Sequence, residues 1–311
     1  MLLVLTRRLA NVIPTLVAVV ALVFLLFSVL PGSFVSAMNE DGRTSIDPAV
    51  MERMRKEMGL DDPLPERFAK YLAHTAVGDL GTSFRTREPV TKLIGARVWP
   101  SLKLVFGAMA FAISVGVTLG FFAALRPGNI LDTVSMVFAI SGLSLSQFWF
   151  GLMLMYLFAL QLKWLPSFGY GDGGLTHVIL PAVALGVGPM ALLARTTRAA
   201  VLEILNADFV RTARSKGMSE RRVVEWHVLR NALVLVITIV GLQFGSLMGA
   251  AVVVEKLFAW PGVGSLLVDS VFQRDIPTVQ GCILLIVLFF LFINTLVDLA
   301  YVVIDPRIRH G

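Results

Sequence analysis

Cysteine is almost missing: the single one, Cys282, lies inside an apolar run. One thiol excludes an internal disulfide framework and a cysteine-ligated metal cluster. Histidine is scarce as well, and His74, His177, His227 and His310 stand at spacings that build no metal site. Charge is the third shortage. Only 15% of the 311 residues are charged, against roughly 25% in soluble globular domains, so the pair of soluble domains that length alone favours is the wrong class. No Gly-Lys dipeptide occurs. The phosphate loop G-x-x-x-x-G-K-[ST] is therefore absent, and ATP is not bound by that device.

Apolar residues fill the gap. They make up 56% of the chain, and the mean hydropathy is +0.79. Six runs, near 9–30, 101–125, 132–160, 178–200, 232–254 and 279–303, reach the ~20 residues that cross a bilayer as a helix. The alternating pattern of a barrel is missing, and lipid permits only helices or closed barrels. The expectation is an all-α integral membrane protein with six transmembrane helices. The third run is too long for a perpendicular span and must tilt, kink near Gly142 to Ser146, or protrude. The first follows Arg7 and Arg8, and a small-residue stretch at Val35-Ser36-Ala37 invites comparison with a cleaved signal. Its apolar core exceeds the 7 to 15 residues of a signal peptide, so it reads as a retained anchor.

Basic residues set the orientation. With the N-terminus inside, the inner segments hold Arg7, Arg8, Arg126, Arg195, Arg198, Arg211, Arg214, Lys216, Arg221, Arg222, Arg230, Arg307 and Arg309. The short outer loops hold only Lys163, Lys256 and Arg274. Both termini are expected in the cytoplasm. This topology accounts for the net charge of +6 without a nucleic-acid partner. The chain divides into an N-terminal anchor helix, 1–30; an extracytoplasmic helical segment, 31–98; and a five-helix core, 99–311, with a cytoplasmic loop at 199–231 and an extracytoplasmic loop at 255–278.

Within the external segment, ERMRKEMGL ends a helical pattern at Gly59, Pro63 and Pro65 mark a break, PERFAKYLAHTAV resumes the pattern, and GDLGTSF at 78–84 reads as a turn cluster. In the later external loop, Trp260-Pro261-Gly262 is a breaker, and Leu266, Leu267 and Val271 indicate a short embedded helix. Phe258, Trp260 and Phe272 suit an interfacial aromatic belt. Gly241, Gly245 and Gly249, spaced by four, line one helix face and permit close helix approach. Ionisable residues in the apolar runs are few: Glu255 and Asp298, with Lys103 and Asp132 nearer the edges. Polar Gln147, Gln243, Ser246 and Asn294 are candidates for a pathway lining or for hydrogen bonds between helices.

One basic island interrupts this oily chain: FVRTARSKGMSERRVVEWHVLRN, 209–231. Ala199 to Ser215 fit an amphipathic helix with Leu202, Leu205, Phe209 and Ala213 on one face. Arg214 and Lys216 suit the negative helix end, Gly217 supplies a left-handed exit, and Ser219 is placed to cap a second helix from Glu220. Charge alone fits a loop that grips anionic lipid. The helix, glycine turn and helix fit a lever docked to a soluble partner.

These residues carry a resemblance. Arg211-Thr212-Ala213-Arg214-Ser215-Lys216-Gly217, with Leu229 twelve residues after the glycine, is similar to the EAA motif of ABC importer permeases. Arg211 stands where the general motif has Glu, and Arg230 where it often has Pro, as in the peptide and nickel permeases. RRLANVIPTL, MGLDDPLPERFAKYL, GDLGTSF, VVVEKLFAWPGVGSLLVDSVFQRDIPTVQG and YVVIDPRIR follow in order, and nearly the whole chain resembles the B-type subunit of dipeptide and oligopeptide importers.

The resemblance implies a type I ABC importer permease of the MetI-like fold in a prokaryotic plasma (inner) membrane. Its partners would be a homologous C-type permease, two ATPase subunits and an extracytoplasmic substrate-binding protein, besides membrane lipid. ATP and Mg would sit on the ATPases, with no cofactor on this chain and no catalysis by it. Asp208, Arg211, Thr212, Ala213, Arg214, Lys216, Gly217, Ser219 and Arg222 would form the coupling surface. The cargo would be a di- or oligopeptide, with nickel-chelate and glutathione permeases as close alternatives. A proton-coupled carrier would need more ionisable residues in mid-span. An intramembrane hydrolase would need a base for Ser265, which has no recognisable histidine partner.

Overall fold

The computed structural model describes residues 2–29 and 62–304. The helix read at 52–60, the Val35–Ala37 stretch, and Arg307 and Arg309 lie outside the described residues, as does the Asp298 side chain. Ten helices account for the described regular structure: α1 (Leu2–Val29), α2 (Leu64–Ala76), α3 (Val90–Leu125), α4 (Ile130–Ser144), α5 (Gln147–Gln161), α6 (Leu175–Leu205), α7 (Asp208–Ser215), α8 (Glu220–Leu257), α9 (Val263–Phe272) and α10 (Ile276–Ile304). Four of them, α3, α6, α8 and α10, are long and apolar enough to cross a membrane, and α4 with α5 adds a fifth passage if the pair counts as one. The expected six includes α1, whose apolar part with described side chains, Ile13–Ser28, is shorter.

The third apolar run is not one straight span. It bends by 111° between Ser144 and Gln147, which resolves its excess length in favour of a kink. Leu145 and Ser146 take extended backbone at the break.

The chain forms two compact units. The first comprises residues 1–99 and 262–289. Here Phe24 of α1 packs on Phe68 and Tyr71 of α2, with ring centroids 5.4 and 5.7 Å apart. Pro63 and Pro65 bracket the start of α2, where a missing amide costs nothing, and Glu66 suits the positive end. GDLGTSF is a turn cluster as expected, with Gly78 and Gly81 left-handed. Asp79 accepts from the Gly81 amide and contacts His74, and these bonds hold its carboxyl below the usual range.

Within this unit Asp275 is buried, only 3% exposed. It accepts from Ser83 Oγ at 2.6 Å, Phe84 N at 2.9 Å and Thr278 Oγ1 at 2.7 Å. A carboxylate buried with three donors is stabilised by charge-assisted bonds, and here it ties the GDLGTSF loop to the start of α10. In the same unit Val90, Ile94, Val263 and Cys282 form an apolar cluster. At Gly281 a Cβ would meet Val90 at 2.7 Å, so α10 can approach α3 this closely only through glycine.

The second unit comprises 100–261 and 290–311. Its axis is α6, the most buried of the long apolar helices. At Gly116 and Gly120 of α3 an added Cβ would lie 2.5 Å from Met190 O and 2.3 Å from Ala194 O, so the two backbones nearly touch. Of the three glycines spaced by four on α8, Gly241 meets Val297 and Gly245 meets Phe290 and Asn294 of α10, whereas Gly249 faces open space.

The aromatic belt is corrected in part. Phe258 and Trp260 are buried, and the Trp260 indole donates to Pro100 O at 2.9 Å while its ring meets Tyr170 edge-on at 4.8 Å. A buried indole needs such an acceptor. Phe272, in the first unit, is 82% exposed and fits a belt. Three of the intramembrane ionisable groups are partnered. Glu255 accepts from Ser101 Oγ, Lys103 donates to Gly173 O under the Tyr170 ring, and Asp132 pairs with Arg198.

Candidate functional site

The basic island is built on a small apolar floor. Val210 and Ala213 of α7 point down onto Ala200 and Val201 of α6, Val223, Val228 and Ala232 of α8, and Ala124 of α3. Leu202 and Leu205 pack against this floor, as their spacing predicts. The expected single helix from Ala199 to Ser215 is interrupted, however. The α6 helix stops at Leu205, the Asn206 side chain donates back to Leu202 O at 3.0 Å, and α7 restarts at Asp208. The restart rotates the face, so Val210 is buried and Phe209 is exposed.

At the other end of α7, Gly217 adopts φ +79°. Gly217 N donates to Arg214 O at 2.9 Å and Met218 N to Ala213 O at 3.4 Å, the paired bonds of a Schellman turn. Met218 packs on the apolar floor with Ala213, the hydrophobic contact that accompanies such turns. Only glycine takes this backbone without a steric penalty. Ser219 holds the extended N-cap backbone, but its side chain makes no capping bond; its carbonyl accepts from Val223 N. The α8 helix then runs through a π-helical stretch, Val224–Leu229, before regular α-helix resumes.

A clasp crosses the glycine turn. Arg214 donates Nε to Glu220 Oε2 at 3.0 Å and Nη2 to Oε1 at 2.6 Å, a bidentate pair that fixes α7 against α8. A second brace lies beneath. Arg198 of α6 grips Asp132 of α4, with Nη2 to Oδ2 at 2.8 Å, and the Gly128 amide donates to the same carboxylate. Sequence reasoning treated Glu220 only as a helix start and left Asp132 and Arg198 unlinked. The Arg-to-Glu spacing of six across a glycine is a signal for the first; a pair 66 residues apart leaves none.

The expected coupling residues separate by orientation. Asp208, Arg211, Thr212, Arg214, Lys216, Gly217 and Ser219 are exposed on one short excursion. Arg211 has only a 4.0 Å contact with Asp208, and Lys216 pairs with no carboxylate among the described residues. Ala213 is turned inward. Arg222 lines a cavity of about 710 Å³ with Met218, Trp226, His227, Arg230 and Asn231. The four pathway candidates lie on α5, α8 and α10. Gln147 lies near Gly188 of α6, and Asn294 lies beside Gly245 with its Oδ1 buried and without a hydrogen-bond partner. Ser246 donates to the Gln243 carbonyl within α8, and no hydrogen bond joins any two of the four side chains.

The excursion is thus an exposed, charged helix pair seated on an apolar floor. Residues 116–310 match the family described as binding-protein-dependent transport system inner membrane component, and residues 1–105 match its N-terminal companion. The glutathione transport system permease protein GsiC of Pectobacterium atrosepticum is 46% identical over 304 residues, covering 98% of each chain. GsiC of Escherichia coli K12 is 43% identical over the same span and coverage. Among solved structures, an inward-facing MetNI methionine ABC transporter aligns at TM-score 0.58 and 18% identity, covering 69% of this chain and 97% of its own. An amino acid ABC transporter solved with histidines aligns at 0.52 and 19%, covering 67% and 92%. At these identities the two structures establish the fold, that of ABC importer permeases.

Proposed function

The chain belongs to the family of binding-protein-dependent transport-system inner-membrane components, and on that premise we propose that it passes short peptides, with glutathione as the leading cargo, through the inner membrane. It is a permease subunit of an ABC importer and works with ATPase and substrate-binding partners. Cargo class rests on the GsiC relatives, whose names specify glutathione transport. A tripeptide lies inside the peptide class that the sequence blocks resemble.

In this reading the excursion from Asp208 to Ser219 seats in an ATPase subunit. Arg211, Arg214 and Lys216 face the partner, Gly217 sets the angle between α7 and α8, and Ala213 seats the knob on its floor. Arg222 borders the same surface. The observation that carries the proposal is the Schellman turn braced by Arg214 and Glu220: lipid attraction requires charge, whereas a fixed turn transmits motion. Movement of α7 would reach α6 and α8 through the shared apolar floor, and α4 through Asp132 and Arg198. Such switching shifts a population between two states, so the ATPases must bind them with different free energy.

The same reading places both termini and loop 199–231 in the cytoplasm, with 31–98 and 255–278 outside. A second, homologous permease completes the pathway, with Gln147, Gln243, Ser246 and Asn294 as candidate lining, and ATP and Mg reside on two ATPase chains. Gentle affinity purification from the native membrane tests this: a second permease and phosphate-loop ATPases should co-purify, with ATP hydrolysis in the eluate. A transport-active chain recovered alone would overturn it.

A further inference from the structure

The cavity at the start of α8 adjoins the α7 knob through Met218, but its chemistry differs. Arg222, Trp226 and Arg230 recur every four residues, and the π-helical stretch Val224–Leu229 brings His227 beside them. Wide turns of this kind recur at functional sites. Neighbouring carboxylates are spent elsewhere: Glu220 on Arg214 and Glu225 on Arg221. Neither Arg222 nor Arg230 pairs with a carboxylate among the described residues, so the cavity is positive. Trp226 stands 64% exposed between the two arginines.

The helix then changes character along one line. Beyond Arg230 the outward positions are Leu233, Val234, Leu235 and Ile237, all exposed, while Ala232 and Val236 face inward. From Trp226 to Ile237 the rise is about 16 Å, close to half the ~30 Å hydrocarbon core. An occupant matching this surface carries a negative head, an amphipathic collar and an apolar tail of one leaflet's depth. A soluble protein partner matches the head alone.

We propose that this cavity binds the phosphodiester headgroup of an anionic phospholipid, with Arg222 and Arg230 on the phosphate, Trp226 at the interface, and the acyl chains along Leu233 and Ile237. The site rests on the cytoplasmic placement of the loop, where basic cavities beside spans meet anionic headgroups. Arginine forks match phosphate oxygens in pairs, which gives the site geometry as well as charge. Lipid bound here would set the depth at which the base of α8 meets the membrane surface.

The test uses the intact importer, purified in mild detergent with its ATPase subunits and offered phosphatidylglycerol, phosphatidylcholine or inorganic phosphate, with native mass spectrometry reading what stays bound. Wild type should retain phosphatidylglycerol over phosphatidylcholine by about ten-fold, and Arg222→Gln with Arg230→Gln should abolish that preference. Arg222→Lys with Arg230→Lys should keep part of it. Should the double glutamine variant fail to reach the membrane, Arg230→Gln alone is read the same way. Equal retention of the two lipids by wild type, or an unchanged preference in the glutamine variant, overturns the proposal. Displacement of the lipid by inorganic phosphate would assign the cavity to a soluble anion, and loss of the ATPases with lipid retained would assign it to the protein partner; either overturns it. Absence of ATPases from the wild-type preparation would count against the importer assembly, and the lipid ratio would still be readable.

Discussion

The loop around Asp275 and the loop around Gly217 are both polar interruptions of an apolar chain, yet they use polarity in opposite ways. Asp275 is sealed in and accepts from three donors, so its side chain is consumed by the fold. The Gly217 turn satisfies its backbone internally and leaves Arg211 and Lys216 directed outward. A polar stretch whose side chains are spent inside is a joint. One whose backbone is satisfied internally while cations such as Arg211 and Lys216 stay directed outward is a handle.

The sharpest way to break this contrast is at the joint. Asp275→Ala removes the acceptor of buried Ser83 and Thr278 and of the part-buried Phe84 amide, and should cost on the order of 3 kcal/mol or more. The expected result is low membrane abundance, seen by immunoblot, with uptake falling in proportion. Gly217→Val should act the other way, with normal abundance and uptake reduced at least several-fold, because a β-branched residue resists φ near +79°. Normal uptake at normal abundance would remove the turn from the mechanism. The smallest effect is expected at the clasp: a double-mutant cycle of Arg214→Gln and Glu220→Gln should give a coupling below about 1 kcal/mol in thermal unfolding, since the pair is exposed. A larger coupling there would make the handle part joint.

Local chemistry was legible in the sequence. Gly217, the Trp260-Pro261-Gly262 break, the turn cluster at 78–84 and the apolar helices follow from neighbours a few residues apart. What lay hidden depends on distance or on competition. Asp275 meets Ser83 across 192 positions, and Asp132 meets Arg198 across 66, so no periodicity announces them. Trp260 looked interfacial because aromatic rings favour that zone, but Pro100 O offered the indole a buried acceptor. The helix through Asn206 looked continuous because its apolar spacing persists, while the Asn side chain competes for the Leu202 carbonyl and ends it. The 111° bend was narrowed to the right residues without being selected over tilt, since Leu145 and Ser146 take no residue-specific conformation that a sequence displays.

The Schellman turn carries a consequence for survival. Arg211, Arg214, Lys216, Arg221 and Arg222 make this stretch rich in sites for proteases that cut after basic residues, and it is exposed. Proteolysis, however, requires several residues to peel into an extended strand, and susceptibility follows backbone hydrogen bonding more than position. From Lys216 to Met218 each amide already has an acceptor, and the floor beneath holds Ala213 and Met218 in place. A newly inserted subunit awaiting its partners thus presents this basic stretch to such proteases in a form that resists being cut.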